Sequence, residues 1–183
     1  LQVIEDNFSE EAMFRYLRCG LSQISEDEID LLENYVLAAG IRGKKKWEAR
    51  FIYATHEVTE EDLEALNELR IRVMEPFFEL TAVFRKKGAT VRECTTALYQ
   101  FIVSLQIEQQ LKYRENQYKE VKDLAKAKEY AQIYRIVMDI LDKMATLLGD
   151  EVMDISEYAK VLEAGFEAAK VGVIPGGYDC VMI

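Results

Sequence analysis

Residues 59–87 read TEEDLEALNELRIRVMEPFFELTAVFRKK, and this stretch decides the fold class. Thr59 is a good helix opener, and Glu60, Glu61 and Asp62 sit where the positive end of a helix dipole favours acids. Leu66, Leu69, Val73, Phe77, Leu80 and Phe84 then recur at spacings of three and four, the period of one helix face. The phase runs through Pro76, so the pattern predicts one long helix kinked at the proline. Arg85, Lys86 and Lys87 complement its negative end, and Gly88 stops it.

The same grammar repeats on both sides. Ser9 caps a helix carrying Met13, Phe14 and Leu17, with Arg15 and Arg18 outward and Gly20 at its end. Ser25 and Glu28 form a capping box for a helix over 26–39, closed by Gly40. Thr90 and Glu93 form another, opening a helix to about residue 111 with Cys94, Leu98, Phe101 and Leu105 on one stripe. Residues 112–128 are polar and helix-prone, a break or an exposed extension. Ala127, Ala131, Tyr134, Met138, Leu141, Ala145 and Leu148 mark a helix over 127–148, closed by Gly149. Ser156 is read as the cap of a last helix with Tyr158, Leu162, Phe166 and Ala169 on one face. The expected fold is all-α: a bundle of at least five helices over 1–170, followed by a strand-like segment over 171–183. The helices over 59–87 and 127–148 carry the longest apolar stripes and are expected to pack together.

Composition agrees with a folded helical domain. Of 183 residues, half are hydrophobic and 31% charged, and only Pro76 and Pro175 interrupt the chain. Cys19, Cys94 and Cys180 are far apart and odd in number, which excludes a disulfide framework or zinc spacing and fits reduced thiols in the cytoplasm. There is no membrane-length apolar run. The chain starts at Leu1 and stops inside the apolar run Cys180-Val181-Met182-Ile183, and both ends read as cuts through a longer protein.

Catalytic patterns are missing. There is no Walker A motif, and His56 is a lone histidine in a polar loop. The acidic clusters fall in first helical turns, where dipole stabilisation explains them. The later tyrosines and phenylalanines lie at core spacing. One stretch stands apart: Gly40-Ile41-Arg42-Gly43-Lys44-Lys45-Lys46-Trp47, within a segment over 41–58 that reads as a loop or a short extended piece. Arg42, Lys44, Lys45, Lys46 and Arg50 against Glu48 make this island +4, so the rest of a −10 chain carries −14. Glycines admit a phosphate close to backbone amides, the cations supply charge, and Trp47 anchors the loop or stacks on a base or sugar.

Three stretches together resemble the B subunit of the AddAB (RexAB) helicase–nuclease family, in the helical region called 2B. They are FRYLRCGL at 14–21, preceded by Asn7 and Phe8; DLLENYVLAAGIRG at 30–43, followed by Trp47; and LEAGF at 162–166, leading to Val173, Ile174, Pro175 and Asp179. The motif at 32–38, LENYVLA, is the most specific, and the match runs along nearly the whole chain. The chain departs from the family where Pro175-Gly176 replaces Pro-Pro and Cys180 replaces glutamine. The resemblance implies a part of a complex that processes double-strand breaks for recombinational repair. In it the A subunit is the ATP-driven motor. The B subunit has lost motor activity, takes part in recognising Chi, and carries a nuclease domain with an iron–sulfur cluster and a divalent metal. Those groups lie outside this chain, which is expected to hold no cofactor and no catalytic residue. The implied partners are the A subunit and double-stranded DNA. In related helicases a Gly-Ile-Gly turn after the first two helices of the region contacts phosphates, and Gly40-Ile41-Arg42-Gly43 occupies that place. A purely protein-binding scaffold without DNA contact is the competing reading, and the −14 remainder suits it.

Overall fold

The computed structural model describes residues 1–53 and 58–172 of the chain. Those residues form ten helices: α1 (Gln2–Glu5), α2 (Glu10–Leu17), α3 (Glu26–Ala39), α4 (Lys44–Glu48), α5 (Glu60–Met74), α6 (Phe77–Phe84), α7 (Val91–Ser104), α8 (Ile107–Glu120), α9 (Leu124–Leu147) and α10 (Ile155–Gly172). The fold is all-α, and Thr90 and Val152 form an isolated antiparallel bridge.

The capping signals are realised in atoms. Ser25, Thr59 and Thr90 each accept from the backbone N–H three residues on, while Glu28, Asp62 and Glu93 reach back to the cap's own N–H. The Ser25 amide and then Arg72 hold Glu28 below the ordinary carboxylate range. The Thr59 hydroxyl and amide do so for Asp62, and Lys86 with the Thr90 amide does so for Glu93. A carboxyl with a lowered folded pKa contributes stability above its unfolded value, near 4, and loses it as pH falls through the folded value. The triple variant Glu28→Gln, Asp62→Asn, Glu93→Gln is therefore expected to be less stable at pH 7. It should also show a shallower fall in urea midpoint between about pH 5 and pH 2 than the parent chain.

Several boundaries differ from the sequence reading. The stretch 59–87 is two helices in one phase rather than one. Pro76 has no N–H to bond back along the helix, and the Phe78 N–H closes a tighter turn on the Glu75 carbonyl at 3.2 Å. Glu75 and Pro76 keep right-handed helical dihedrals, so Val73, Phe77 and Leu80 still line one buried stripe. Of this stripe only Phe84 reaches the core that holds Ile140 and Met144 of 127–148. The short connection after Phe84 folds α7 back onto α6, and α7 separates α6 from α9. The helix expected to reach 111 ends at Ser104, because Gln106 takes the left-handed φ of 52° and restarts the chain as α8. The last helix is capped by Asp154, not Ser156. The Asp154 carboxylate accepts from the Glu157 N–H at 2.9 Å, and Glu157 returns the bond at 3.1 Å. Val171 and Gly172, expected as strand, close α10. The remainder of that expectation, 173–183, and His56 lie outside the described residues.

Two apolar cores result. The larger joins α1, α2, α3, α4, α5 and α6 around Phe8, Met13, Leu17, Leu32, Trp47 and Leu66. The smaller joins α7, α9 and α10 around Val91, Cys94, Met144 and Tyr158. Val83, Phe84 and Leu98 pack on both. Tyr158 is fully buried, bonded to the Thr95 hydroxyl at 2.9 Å, and its burial pushes the phenol up to about 12. Beyond these cores α8 and α9 pair into a projecting hairpin, buried along its length only at Leu111 and Ala127 until α9 enters the smaller core.

Candidate nucleic-acid interface

The basic turn begins where α3 ends. Gly40 adopts φ 58°, its N–H donates to the Leu37 carbonyl, and the Ile41 N–H donates to the Val36 carbonyl at 3.0 Å. This satisfies the last carbonyls of α3 and turns the chain sharply. Gly43 follows at φ 81°, with its N–H on the Phe8 carbonyl at 3.3 Å. A Cβ there would lie 3.2 Å from Asn7 Nδ2, so both the dihedral and the contact call for glycine.

The next five residues, expected as a loop or a short extended piece, instead form α4. The turn of helix swings Trp47 inward, where it is fully buried with the Phe14 and Phe51 rings at 6.3 and 6.2 Å. Trp47 is thus the anchor of the turn and has no face free to stack on a base.

The turn is clamped from α5 by two polar residues that the sequence reading passed over. Asn67 is buried. Its Oδ1 accepts from the Phe51 N–H at 2.8 Å, and its Nδ2 donates to the Phe51 and Leu63 carbonyls at 2.9 and 2.8 Å. Arg70 donates from Nη1 to the Trp47 and Glu48 carbonyls at 3.1 and 3.0 Å, and from Nε to Asn67. Its guanidinium lies 5.6 Å from the Phe51 ring centroid, and burial together with the nearby Arg50 charge lowers its pKa. The signal was in the register: Asn67 and Arg70 stand three apart, on the same face as Leu66, Leu69 and Val73.

The structure divides the residues of the basic island. The amides of Gly40, Ile41 and Gly43 are committed inside the fold, so they do not form the phosphate cradle that the glycines suggested. Lys46 Nζ donates to the Gly40 carbonyl at 2.6 Å, Lys44 pairs with Glu48 at 3.2 Å, and Arg50 pairs with Glu64. Arg42 and Lys45 are exposed and make no ion pair among the described residues. A third cation joins them from the end of α6: exposed Arg85 donates to Asn7 Oδ1 at 2.7 Å, beside Gly43. One flank is acidic, since a shallow cleft at Arg42 and Gly43 is also lined by Asp6, Glu10 and Glu11. The arrangement offers exposed cations to a polyanion and no fixed donor–acceptor pattern for reading base edges.

Among the described residues no cluster of three or more His, Cys, Asp or Glu is placed to hold a metal, and no helix is long and apolar enough to cross a membrane. Cys19 is an exposed free thiol. Cys94 is buried, and that burial raises its pKa.

No family model matches the chain. Curated relatives do, along its full length. The B subunit of the ATP-dependent helicase/deoxyribonuclease of Lachnoclostridium phytofermentans is 41% identical over 186 residues. Proteins of the same name from Clostridium novyi and Clostridioides difficile are 37% and 35% identical over 183 and 191 residues. In each case all of this chain is matched, and it spans 16% of the relative's length. Along its full length the chain is therefore similar to one segment of ATP-dependent helicase/deoxyribonuclease B subunits.

Proposed function

We propose that residues 1–170 form a 2B-like, non-catalytic helical domain of a helicase/deoxyribonuclease B subunit that acts in double-strand break repair and recombination, and that its basic turn rests on duplex phosphates. The observation that supports the reading most is the similarity of the entire chain to proteins of that name. Exposed Arg42 and Lys45, set on a turn locked by Trp47, Asn67 and Arg70, supply the contact together with Arg85 from the end of α6. On this reading the iron–sulfur cluster and the nuclease metal belong to other parts of the same polypeptide, the partner is the A subunit, and the complex works in the cytoplasm.

The test is the triple variant Arg42→Ala, Lys45→Ala, Arg85→Ala in the intact two-subunit complex. Each lost phosphate contact removes about 0.9 from the slope of log affinity against log salt. A slope shallower by roughly two to three, with weaker binding to duplexes of any sequence, is expected. An unchanged slope would discard the DNA contact.

A second reading has its own observation. Ile71 and Phe78 are exposed on α5 and α6, and Glu68 and Glu75 fall in the same helical register. An acidic, apolar stripe repels phosphate and suits a protein neighbour. If the triple variant leaves DNA binding intact while Ile71→Asp with Phe78→Asp loosens association of the two subunits, the scaffold reading takes over.

A further inference from the structure

The α8–α9 hairpin carries a feature that the basic turn does not explain. Residues 112–128 hold six bases against three acids, a net +3 in a chain of −10. Along α8 runs an open groove of roughly 710 Å³, lined by Gln109, Tyr113, Gln117, Tyr118 and Val121, with Tyr130 of α9 as the opposite wall. From Gln109 to Val121 a helix rises about 18 Å, a length that accommodates several nucleotides.

The rings are arranged as platforms. Tyr118 and Tyr130 stack at 5.3 Å with an interplanar angle of 15°. Lys126 Nζ lies 5.2 Å from the Tyr118 ring, placing a cation against the stack. Tyr113 is 65% exposed, far more than a packing role requires, and Gln117 Nε2 donates to its hydroxyl at 3.1 Å, which steadies the ring. Gln110 and Arg114 fasten the base of the hairpin to the Leu21 and Gly20 carbonyls. At the tip, Lys122 is exposed in a left-handed conformation, φ 61°.

We propose that this groove binds single-stranded nucleic acid, independently of the duplex contact proposed for the basic turn. The charge favours a polyanion. Flat aromatic faces with amide side chains between them suit bases. Unpaired bases can offer their faces to Tyr113. A duplex keeps them inside its own stack, so the occupant is a single strand.

The test measures fluorescence anisotropy of a labelled oligothymidylate of about sixteen nucleotides, and of a duplex of equal length, with the 183-residue chain. Tyr113→Ala is expected to weaken single-strand binding by at least about fivefold, and Tyr113→Phe to keep it within about twofold. Lys122→Gly suits the positive φ and removes one charge, so it should lower the salt slope by about 0.7 with no loss of fold. The variant lacking Arg42, Lys45 and Arg85 should bind the single strand as the parent does. No single-strand binding at low salt, equal binding with Tyr113→Ala, or loss only in the basic-turn variant would each overturn the proposal. The first of these outcomes would hand the hairpin to a protein neighbour.

Discussion

Asn67→Leu is expected to destabilise the chain by about 3 kcal/mol or more, a large share of the roughly 5–15 kcal/mol that holds a domain together. The side chain meets both backbone groups of Phe51, the Leu63 carbonyl and Arg70 Nε. Leucine fills similar space but leaves the Phe51 N–H and carbonyl and Arg70 Nε without this partner, while the Leu63 carbonyl keeps its helical bond, and each orphan costs about 1–3 kcal/mol, reduced where water reaches it. Urea denaturation measures the loss directly. The variant should also lose affinity for duplex DNA in the complex, because the segment carrying Lys45 is held by these bonds. A stability change under about 1 kcal/mol would show that the Asn67 network is not what fixes the turn.

Trp47→Ala should cost about 3–5 kcal/mol, as large-to-small changes of buried aromatics do. Trp47 is fully buried between Phe14 and Phe51, and α4 is too short to hold itself without that anchor. Trp47→Phe separates packing from hydrogen bonding. The indole Nε1 has no partner among the described residues, so phenylalanine removes an unsatisfied buried donor while keeping part of the ring contact. Its cost should be about half that of alanine or less. Thermal unfolding followed by circular dichroism ranks the three proteins. Equal losses for alanine and phenylalanine would mean that the indole makes a bond outside the ring stack.

Much of the fold was legible because its signals are local. Ser25 with Glu28, and Thr90 with Glu93, lie three residues apart, and the chemistry that starts a helix needs nothing further away. The positions that misled depend on tertiary balance. Gln106 takes a strained left-handed turn that no glycine announces, and the chain there is held by Gln23 and Gln110, both bonded to the Leu105 carbonyl. Arg85 looked like a dipole-complementing residue at a helix end. Only the packing of Phe77 of α6 against Phe8 and Tyr16 brings it to Asn7 and the basic turn. In the candidate site the residue types were legible but their assignments were not. Lysines within one turn of a carbonyl or a glutamate look free in sequence, whereas Lys44 and Lys46 are occupied.

The helices that pack are, with few exceptions, neighbours along the chain: α1 with α2, α2 with α3, α6 with α7, α8 with α9, α9 with α10. Few residues separate the partners, so little loop-closure entropy is spent before the contacts form. Such a topology folds fast and in order of synthesis. A segment of this kind, which matches 16% of the length of one curated relative, can condense pair by pair as it emerges from the ribosome.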